Sequence, residues 1–433
     1  MILRLSDSLS RGLIVAASFV IAAVLSFFSI RTAIAARGAD QGSADGFRLA
    51  TRLEPQNSEY WYRFGHFEQF NLEDSDSAEA EKLLEKAIEI DPKYSDAWLD
   101  LGTAYELDGD SAKARDAYIE AKKSYPASAE VAWRFGNFLL RQGDSQAAYP
   151  EFRRALETDP RRAAAAFSRC YRANPNLDEI IDQILPAKPG PYVDIIKEMS
   201  DSKQVAVAQV VWKRLLAMHP RLNVTDFQPL VGALLQEGDT VQARQVWAEG
   251  SAAMYLPPLG GLPDSLIWDP GFESGINQAI FSWSFQPIVQ GVTAAFDTTE
   301  KHSGNQSLRL SFDGKHNPEI EPACVKVIVT PNTDYQLTGW VKTNALTTNH
   351  GIGFRVHSYT DKGEASLVAS GQRVYGTTDW TPVDLTYITG PNVKTALVCV
   401  YRERDLDSDE RISGTAWVDD VNLVPKVLEP SKP

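Results

Sequence analysis

Hydropathy along the chain falls into three regimes. Residues 12–30 (GLIVAASFVIAAVLSFFSI) carry no charge and sit between Arg11 and Arg31. At about 1.5 Å of rise per residue these nineteen positions span nearly the ~30 Å hydrocarbon core of a bilayer, so they are read as a membrane helix. A cleaved signal segment is the alternative reading, with Arg4 and Arg11 ahead of the apolar run and Ala33-Ile34-Ala35 as small residues before a cut. The run is longer than an h-region of about 7–15 residues, and Arg31 intrudes before the cut, which favours an anchor. Arg4 and Arg11 on one flank balance Arg31 and Arg37 on the other, so the positive-inside count is tied. A short untranslocated N-terminus followed by a large exported body is the simpler topology.

From about residue 45 to 255, apolar positions recur at helical spacing and the pattern repeats itself. The clearest unit carries Trp98, Leu101, Gly102, Tyr105, Ala114, Tyr118, Ala121 and Pro126. Thirty-four residues later come Phe135, Gly136, Leu139, Ala148, Phe152, Ala155 and Pro160, with Trp133 displaced by one position. Upstream, Trp61, Phe64, Gly65, Ala80, Leu84, Ala87 and Pro92 follow the same plan after a three-residue insertion within Asn71–Ser77. Phe47, Ala50 and Pro55 fit a truncated earlier unit. Small residues let paired helices approach, and prolines end each second helix because they cannot extend its ladder. Units this small must stack to bury their faces. Beyond residue 160 the pattern decays, breaks around 174–192, then resumes with Ala208, Trp212 and Pro220 and again with Ala243 and Trp247. Gly-Asp turns at 109–110, 143–144 and 238–239 mark corresponding places.

Residues 255–266 (YLPPLGGLPDSL) read as a linker, and after them the period changes to alternation. Segments 324–330, 335–342, 353–359, 383–388, 396–401 and 415–423 read as strands, which predicts a sandwich or jelly roll. The resulting plan is a flank (1–11), a membrane or signal helix (12–30), a linker (31–44), helical repeats (45–254), the linker (255–266), an all-β sandwich (267–427) and a tail (428–433).

The helical units resemble tetratricopeptide repeats, whose pattern W-x2-L-G-x2-Y…A-x3-F-x3-A…P they follow. The fold this implies is an α-α superhelical array that binds a protein or peptide in the groove lined by each first helix. Matching positions are Tyr62, His66, Leu99, Thr103, Trp133, Asn137 and Arg141. Tyr62, Leu99 and Trp133 stand where a carboxylate-clamping groove has its first lysine, so recognition of a chaperone tail is not expected. Further on, DPGFESG (269–275), HSGNQSLRLSF (302–312), PNTDYQLTGWVKT (331–343) and GTAWVDDVNLVP (414–425) occur in order. Together they resemble jelly-roll carbohydrate-binding modules of the family 4/9 type, within the galactose-binding-like fold. The resemblance implies a polysaccharide or oligosaccharide partner and one structural calcium at Glu273 with Asp419 or Asp420. Loop position and alternation point to Trp283, Tyr359, Tyr375 and Trp380 as ring-stacking candidates, with Arg355 and Gln372 as polar partners, while Trp340 and Trp417 are left to packing. The acidic run 405–410 lacks the glycine and distal glutamate of a calcium loop and reads as solvated.

Composition narrows the reading further. Lys plus Arg is 43 against 57 for Asp plus Glu, a net charge of −14, and no basic run offsets it, so nucleic acid is not an expected partner. Three cysteines without a CxxC exclude a zinc site; Cys170, in the helical array, is expected to be a buried free thiol, and Cys324 and Cys399 could pair if their strands are neighbours, but nothing in the spacing demands a disulfide, so three free thiols are expected. No HExxH, GxSxG, GxxxxGK[ST] or GxGxxG is present and no carboxylate pair is singled out, so the chain is read as a non-enzyme. The expected function is an exported, membrane-anchored scaffold in envelope or exopolysaccharide assembly or export, its repeats holding a protein and its sandwich a glycan. The alternative is a protein-only scaffold whose sandwich binds no sugar.

Overall fold

The computed structural model describes residues 8–71, 77–256, 259, 261–275, 279–289, 291–360, 365–404 and 411–426. It runs from a long apolar helix through a helical array to an all-β sandwich of two sheets. Two compact units divide between Asp194 and Ile195.

The first unit begins with α1 (Ser8–Asp40), followed by α2 (Ala44–Leu53), α3 (Ser58–Phe70), α4 (Ser77–Ile90), α5 (Ser95–Leu107) and α6 (Ser111–Ser124). It continues with α7 (Ala129–Arg141), α8 (Ser145–Thr158), α9 (Ala163–Ala173) and α10 (Leu177–Ile184), and the division falls inside α11 (Pro189–Asp201). Paired helices meet where the repeat places its glycines. A Cβ on Gly102 would lie 3.2 Å from the Tyr118 ring, and one on Gly136 would lie 3.3 Å from Phe152. Each Gly-Asp turn works the same way. Gly109 and Gly143 take positive φ (83° and 77°), and Asp110 and Asp144 then accept Lys113 N and Ala147 N to cap the next helix.

The signature tryptophan has a polar duty as well. Trp61 Nε1 donates to Pro55 O (2.9 Å), and Trp98 Nε1 donates to Pro92 O (3.0 Å), closing the carbonyl left open at the preceding turn. In the next unit the tryptophan is shifted to Trp133, and Pro126 O instead accepts from Arg154 Nη1 at 2.5 Å. The freed indole stands edge-on to Phe152 (5.5 Å).

Two expectations need correcting here. Residues 31–44 are not a linker. Helix α1 continues to Asp40, burying Ala35 and Ala39 against Phe47, Ala50 and Phe64, with Gly38 and Gly46 in close backbone approach. The break expected around 174–192 contains α10, whose Ile180, Ile181 and Ile184 form one buried face, while Pro189 opens α11 from its first position.

In the second unit α12 (Val205–Leu216), α13 (Val224–Gln236) and α14 (Thr240–Ala253) precede the strands. Trp247 of α14 is buried among Phe227, Trp268 and Phe281, with ring centroids 5.2–5.4 Å apart, so the last helix pair and the start of the sandwich share one core. The strands are β1 (Ser284–Phe285), β2 (Ile288–Val289), β3 (Val292–Asp297), β4 (Ser307–Asp313), β5 (Ile320–Ile328), β6 (Asp334–Leu346), β7 (Ile352–Thr360), β8 (Ala365–Val374), β9 (Gly376–Ile388), β10 (Val393–Arg402) and β11 (Ser413–Pro425). They form an antiparallel five-stranded sheet, β1-β5-β10-β7-β8, facing a six-stranded sheet, β2-β3-β4-β11-β6-β9. Alternate residues such as Val325, Phe354 and Val398 from one sheet meet Leu310, Leu337 and Val418 from the other. Trp417 lies on the outer side of β11 yet is buried, because its indole donates to Asp297 Oδ2 (3.0 Å). That bond is the foremost cause holding the Asp297 carboxyl well below the usual range.

The cysteine expectation is overturned. Cys324 and Cys399 are directly opposed on β5 and β10, with Cα atoms 4.1 Å apart, and form a disulfide. The two strands are neighbours although their cysteines lie 75 residues apart in sequence, which spacing alone does not reveal. Cys170 is a buried free thiol, its pKa pushed up to about 12 by burial. Thiol titration under denaturing, non-reducing conditions is therefore expected to find one free thiol. Replacing both Cys324 and Cys399 with Ala is expected to lower unfolding stability by about 2–5 kcal/mol.

Candidate functional site

The repeat groove is a cavity of about 430 Å³ on the faces of α3, α5 and α7 with α9 at its side. Its centre is Asp100, a carboxylate only 2% exposed, in the middle of α5. His66 Nδ1 of α3 lies 2.7 Å from Asp100 Oδ2, and Arg134 Nη1 of α7 donates to Oδ1 at 2.8 Å. Arg134 Nη2 also donates to Leu99 O (3.1 Å) and Thr103 Oγ1 (2.6 Å), so a single acid ties three helices together. The bond to Asp100 is the main cause raising the pKa of His66. Arg141 makes a two-point contact with Glu106 (2.6 and 2.7 Å). Arg169 Nη1 donates to Asn137 Oδ1 (2.5 Å), with its guanidinium 5.0 Å from the Trp133 ring.

His66, Thr103, Trp133, Asn137 and Arg141 thus share one cavity, as their repeat positions imply. Tyr62 packs on Tyr94 (4.8 Å) outside that lining. Leu99 is 1% exposed and is corrected to a core residue, because α5 is covered on both sides of that position. Asp100, Arg134 and Arg169 were missed. The one available signal was an acid placed between Leu99 and Leu101, where the helix pattern predicts burial.

On the sandwich, the outer face of the five-stranded sheet can be read row by row from its register. One row joins Cys324, Cys399 and Arg355, the next Lys326, Leu397 and His357, and the third Ile328, Thr395 and Tyr359. Arg355 is already engaged. Its guanidinium lies 3.3 Å from the centroid of the Tyr401 ring and donates to Glu319 (3.1 Å) and Glu321 (3.3 Å). His357 Nε2 is 2.7 Å from Glu321, and Arg373 pairs with Glu403 at 2.5 Å. Tyr359 is half-buried in a cavity of about 730 Å³, lined by Lys326, Lys394, Thr395 and Leu397 together with the turn between α13 and α14.

The other glycan candidates scatter. Gln372 is exposed on β8, and Tyr375 is 53% exposed between β8 and β9. Trp380 belongs to the opposite sheet, edge-on to His302 at 5.7 Å, and His302 stacks on Trp340 at 4.0 Å. Trp283 is corrected to the core. It is 1% exposed, its Nε1 donates to Asp269 O (2.7 Å), and its ring packs on Phe272 at 4.7 Å.

Of the three acids read as calcium ligands, two converge. A Cβ on Gly271 would meet Asp419 Oδ1 at 3.5 Å and Glu273 Oε1 at 3.6 Å, and a Cβ on Gly304 would collide with Glu273. Asp419 is fully buried and accepts His302 N (2.8 Å) and Ser303 N (3.1 Å), yet burial pushes its pKa up to about 6. Asp420 turns away at φ 50° toward His302 Nδ1 and Ser303 Oγ. The acidic run 405–410 lies outside the described residues.

Family models for the tetratricopeptide repeat match residues 58–94 and 83–116, and a carbohydrate binding domain model matches residues 264–406. The chain carries tetratricopeptide repeats and a carbohydrate-binding domain. Among curated proteins there is no match. Among solved structures, the chain is similar to YrrB, a tetratricopeptide protein with an unusual peptide-binding site (13% identity, 49% of this chain and 93% of that one, TM-score 0.27). It is also similar to the C-terminal family 22 carbohydrate binding module of Clostridium thermocellum Xyn10B (10% identity, 39% and 100%, TM-score 0.29). A third is the enzymatically active domain of bacteriophage CBA120 tailspike protein 4 (14% identity, 38% of this chain, TM-score 0.26), of whose length this chain spans 22%. Tetratricopeptide repeats and carbohydrate-binding domains are non-catalytic kinds of module, the first binding peptides or proteins and the second polysaccharides.

The tetratricopeptide groove yields a direct test. Asp100→Ala leaves Arg134 without its buried counter-ion and is expected to lower stability by roughly 3 kcal/mol in denaturant unfolding. The His66–Asp100 bond, which raises the histidine pKa in the folded state, contributes fully below histidine's ordinary 6.5 and is lost as pH rises past the elevated native value. His66→Gln should therefore flatten the decline in melting temperature on the alkaline side of neutrality.

Proposed function

We propose that this protein is an exported scaffold anchored in the membrane by α1, its tetratricopeptide groove holding a protein partner and its carbohydrate-binding domain holding a glycan, in envelope or exopolysaccharide assembly or export. The observation that carries the reading is the presence of both modules on one chain. The role proposed is binding, in keeping with the two kinds of module.

Anchoring is supported by the continuity of α1. The segment Arg11–Asp40 is one helix long and apolar enough to cross a bilayer, and its last turns belong to the packed array. Cleavage after Ala35 would remove Ala35 from its buried cluster with Phe47 and would cut α1 one turn before Ala39, whose carbonyl accepts from Arg63 Nη2 (3.0 Å). The disulfide supports an oxidising compartment for the body. The full chain is expected to stay in the membrane fraction after carbonate washing with its N-terminus intact. A mature N-terminus at Ala36 would replace the anchor with secretion.

Calcium would sit between Glu273 and Asp419, completed by carbonyls near His302–Gly304, and would bind the first segment of the domain to its last strand. It is expected to raise the melting temperature, with the rise absent in Asp419→Asn. An equal rise in that variant would remove this site.

Glycan binding is tested on the full chain in detergent micelles. A fragment starting at 262 would expose Trp268 and Phe281, which Trp247 covers. Calorimetry against a polysaccharide panel should find a ligand whose affinity falls with Tyr359→Ala, at a cost of about 1–3 kcal/mol and little change in melting temperature. No binding at millimolar ligand would leave the protein-only scaffold. That second reading has one observation behind it: the Tyr401 ring on the same face is fully buried beneath Arg355.

A further inference from the structure

We infer that the bilayer-facing end of the first helix pair binds anionic phospholipid headgroups, their phosphates held by Arg31, Arg37 and Arg52 on the leaflet from which α1 emerges. This rests on the reading of α1 as an anchor and specifies the lipid around it. Helix α1 leaves the apolar run at Arg31 and continues unbroken to Asp40. Helix α2 then runs back along it. Gly46 closely approaches Gly38, and nearer the bilayer Thr32 Oγ1 donates to Glu54 Oε1 (2.5 Å). This antiparallel pairing returns the C-terminal end of α2 to the level of Arg31. Arg52, two residues before Glu54, therefore stands about 5 Å of helical rise from Arg31, and Arg37 about 9 Å. The headgroup layer is about 5–8 Å deep, and a long arginine side chain spans the remainder.

The charges of this end can be counted in full. From 31 to 63 the acids are Asp40, Asp45, Glu54 and Glu59, and the cations are Arg31, Arg37, Arg48, Arg52 and Arg63. Arg48 pairs with Asp45 (2.9 Å) and Arg63 with Asp40 (3.3 Å), both acids lying toward the end of α1 away from the bilayer. Glu54 accepts from Thr32, and Glu59 accepts from the Tyr94 hydroxyl. Arg37 and Arg52 are exposed, and among the described residues no carboxylate pairs with either. Arg31 lies over the Phe28 ring (5.0 Å), and its Nε is buried without a hydrogen-bond partner. Three arginines thus face the bilayer against two carboxylates that already accept hydroxyls, on a chain whose net charge is −14. Helix α3 runs away from the bilayer. Its Arg63 is already at the level of Ala39, and Phe70 lies about 10 Å further along before Glu73, Asp74 and Asp76 follow in sequence. Guanidinium groups match phosphate oxygens with two-point, charge-assisted hydrogen bonds, and a net negative leaflet adds long-range attraction that a zwitterionic one lacks.

The test offers the full chain equal parts of phosphatidylglycerol and phosphatidylcholine in mixed detergent micelles and counts the lipids it retains by native mass spectrometry. Phosphatidylglycerol is expected to be retained roughly tenfold over phosphatidylcholine. That preference should shrink between about 20 and 300 mM salt, because the charges are exposed. The variant R31Q/R37Q/R52Q, checked for an unchanged melting temperature, should retain the two lipids alike, whereas R31K/R37K/R52K should keep the preference. If the triple glutamine variant melts early, R37Q and R52Q, both on exposed helix faces, carry the test, each lowering the preference by about fivefold. Equal retention by the unaltered chain overturns the inference, as does a preference that survives the glutamine variants or is lost in the lysine variant. Release of the full chain by carbonate washing removes the anchor and this inference together. A chain that stays in the membrane without preferring the anionic lipid loses this inference alone.

Discussion

A pair of short helices has more apolar surface than its two members can cover, so the next element along must cover the remainder. The glycines facing Tyr118 and Phe152 are one expression of this constraint, since they let aromatic rings reach across the pair and onward to the next helix. The ends of the helical series show the others. Phe47 and Ala50 of α2 are covered by Ala35 and Ala39, so the apolar N-terminal helix also serves as the first packing partner of the repeats. In the second unit Trp247 is covered by Trp268 and Phe281, residues that lead into the sandwich. A membrane-type helix and a sandwich thus each do the work that a polar capping repeat does elsewhere.

The repeats were legible because their spacing is a physical requirement. A close helix contact needs a small residue, and the ring opposite needs a fixed offset from it. Five of the six expected strands fall within β6, β7, β9, β10 and β11, and the sixth, 324–330, overlaps β5 and overruns its end by two residues, since each alternates between a core-facing and an outward position. What escaped reading depends on contacts between distant positions. Whether Cys324 meets Cys399 depends on β5 lying beside β10, and two strands that are remote in sequence carry no mark of that. Trp283 has the composition of a loop platform, and only the carbonyl of Asp269 shows that its N–H is satisfied inside. The continuation of α1 past Arg31 was hidden by a stretch of small residues, AIAARGA, which suits a linker and a tightly packed helix equally well.

Site residues were legible in proportion to how much of their chemistry is local. Five of the groove positions share one cavity because the repeat dictates which helical face they occupy. The glycan candidates came from residue type and alternation alone, and the structure divides them among the core, both sheets and a turn. Asp100 shows the reverse case. An acid in a buried register has meaning only once His66 and Arg134 arrive from neighbouring helices.

Both candidate surfaces follow one electrostatic logic. In the groove Arg134 is neutralised by Asp100 and Arg141 by Glu106, while in the sandwich Arg355 is held by Glu319 and Glu321 and lies on Tyr401. Paired ions of this kind are ordered before any ligand arrives, so they shape a surface without an entropic cost on binding. They also have little left to offer an incoming charge, because transferring an arginine from its own glutamate to a ligand carboxylate exchanges one bond for an equivalent one. Discrimination must come from cations outside such pairs. In the groove Arg169 is bonded to the neutral Asn137 and lies near Trp133, which leaves its charge uncompensated by that contact. In the sandwich the corresponding surplus lies with Lys326. On a chain of net charge −14, charge discrimination at either surface therefore depends on single side chains, Arg169 in the groove and Lys326 on the sandwich, that stand among rigid, internally neutralised pairs.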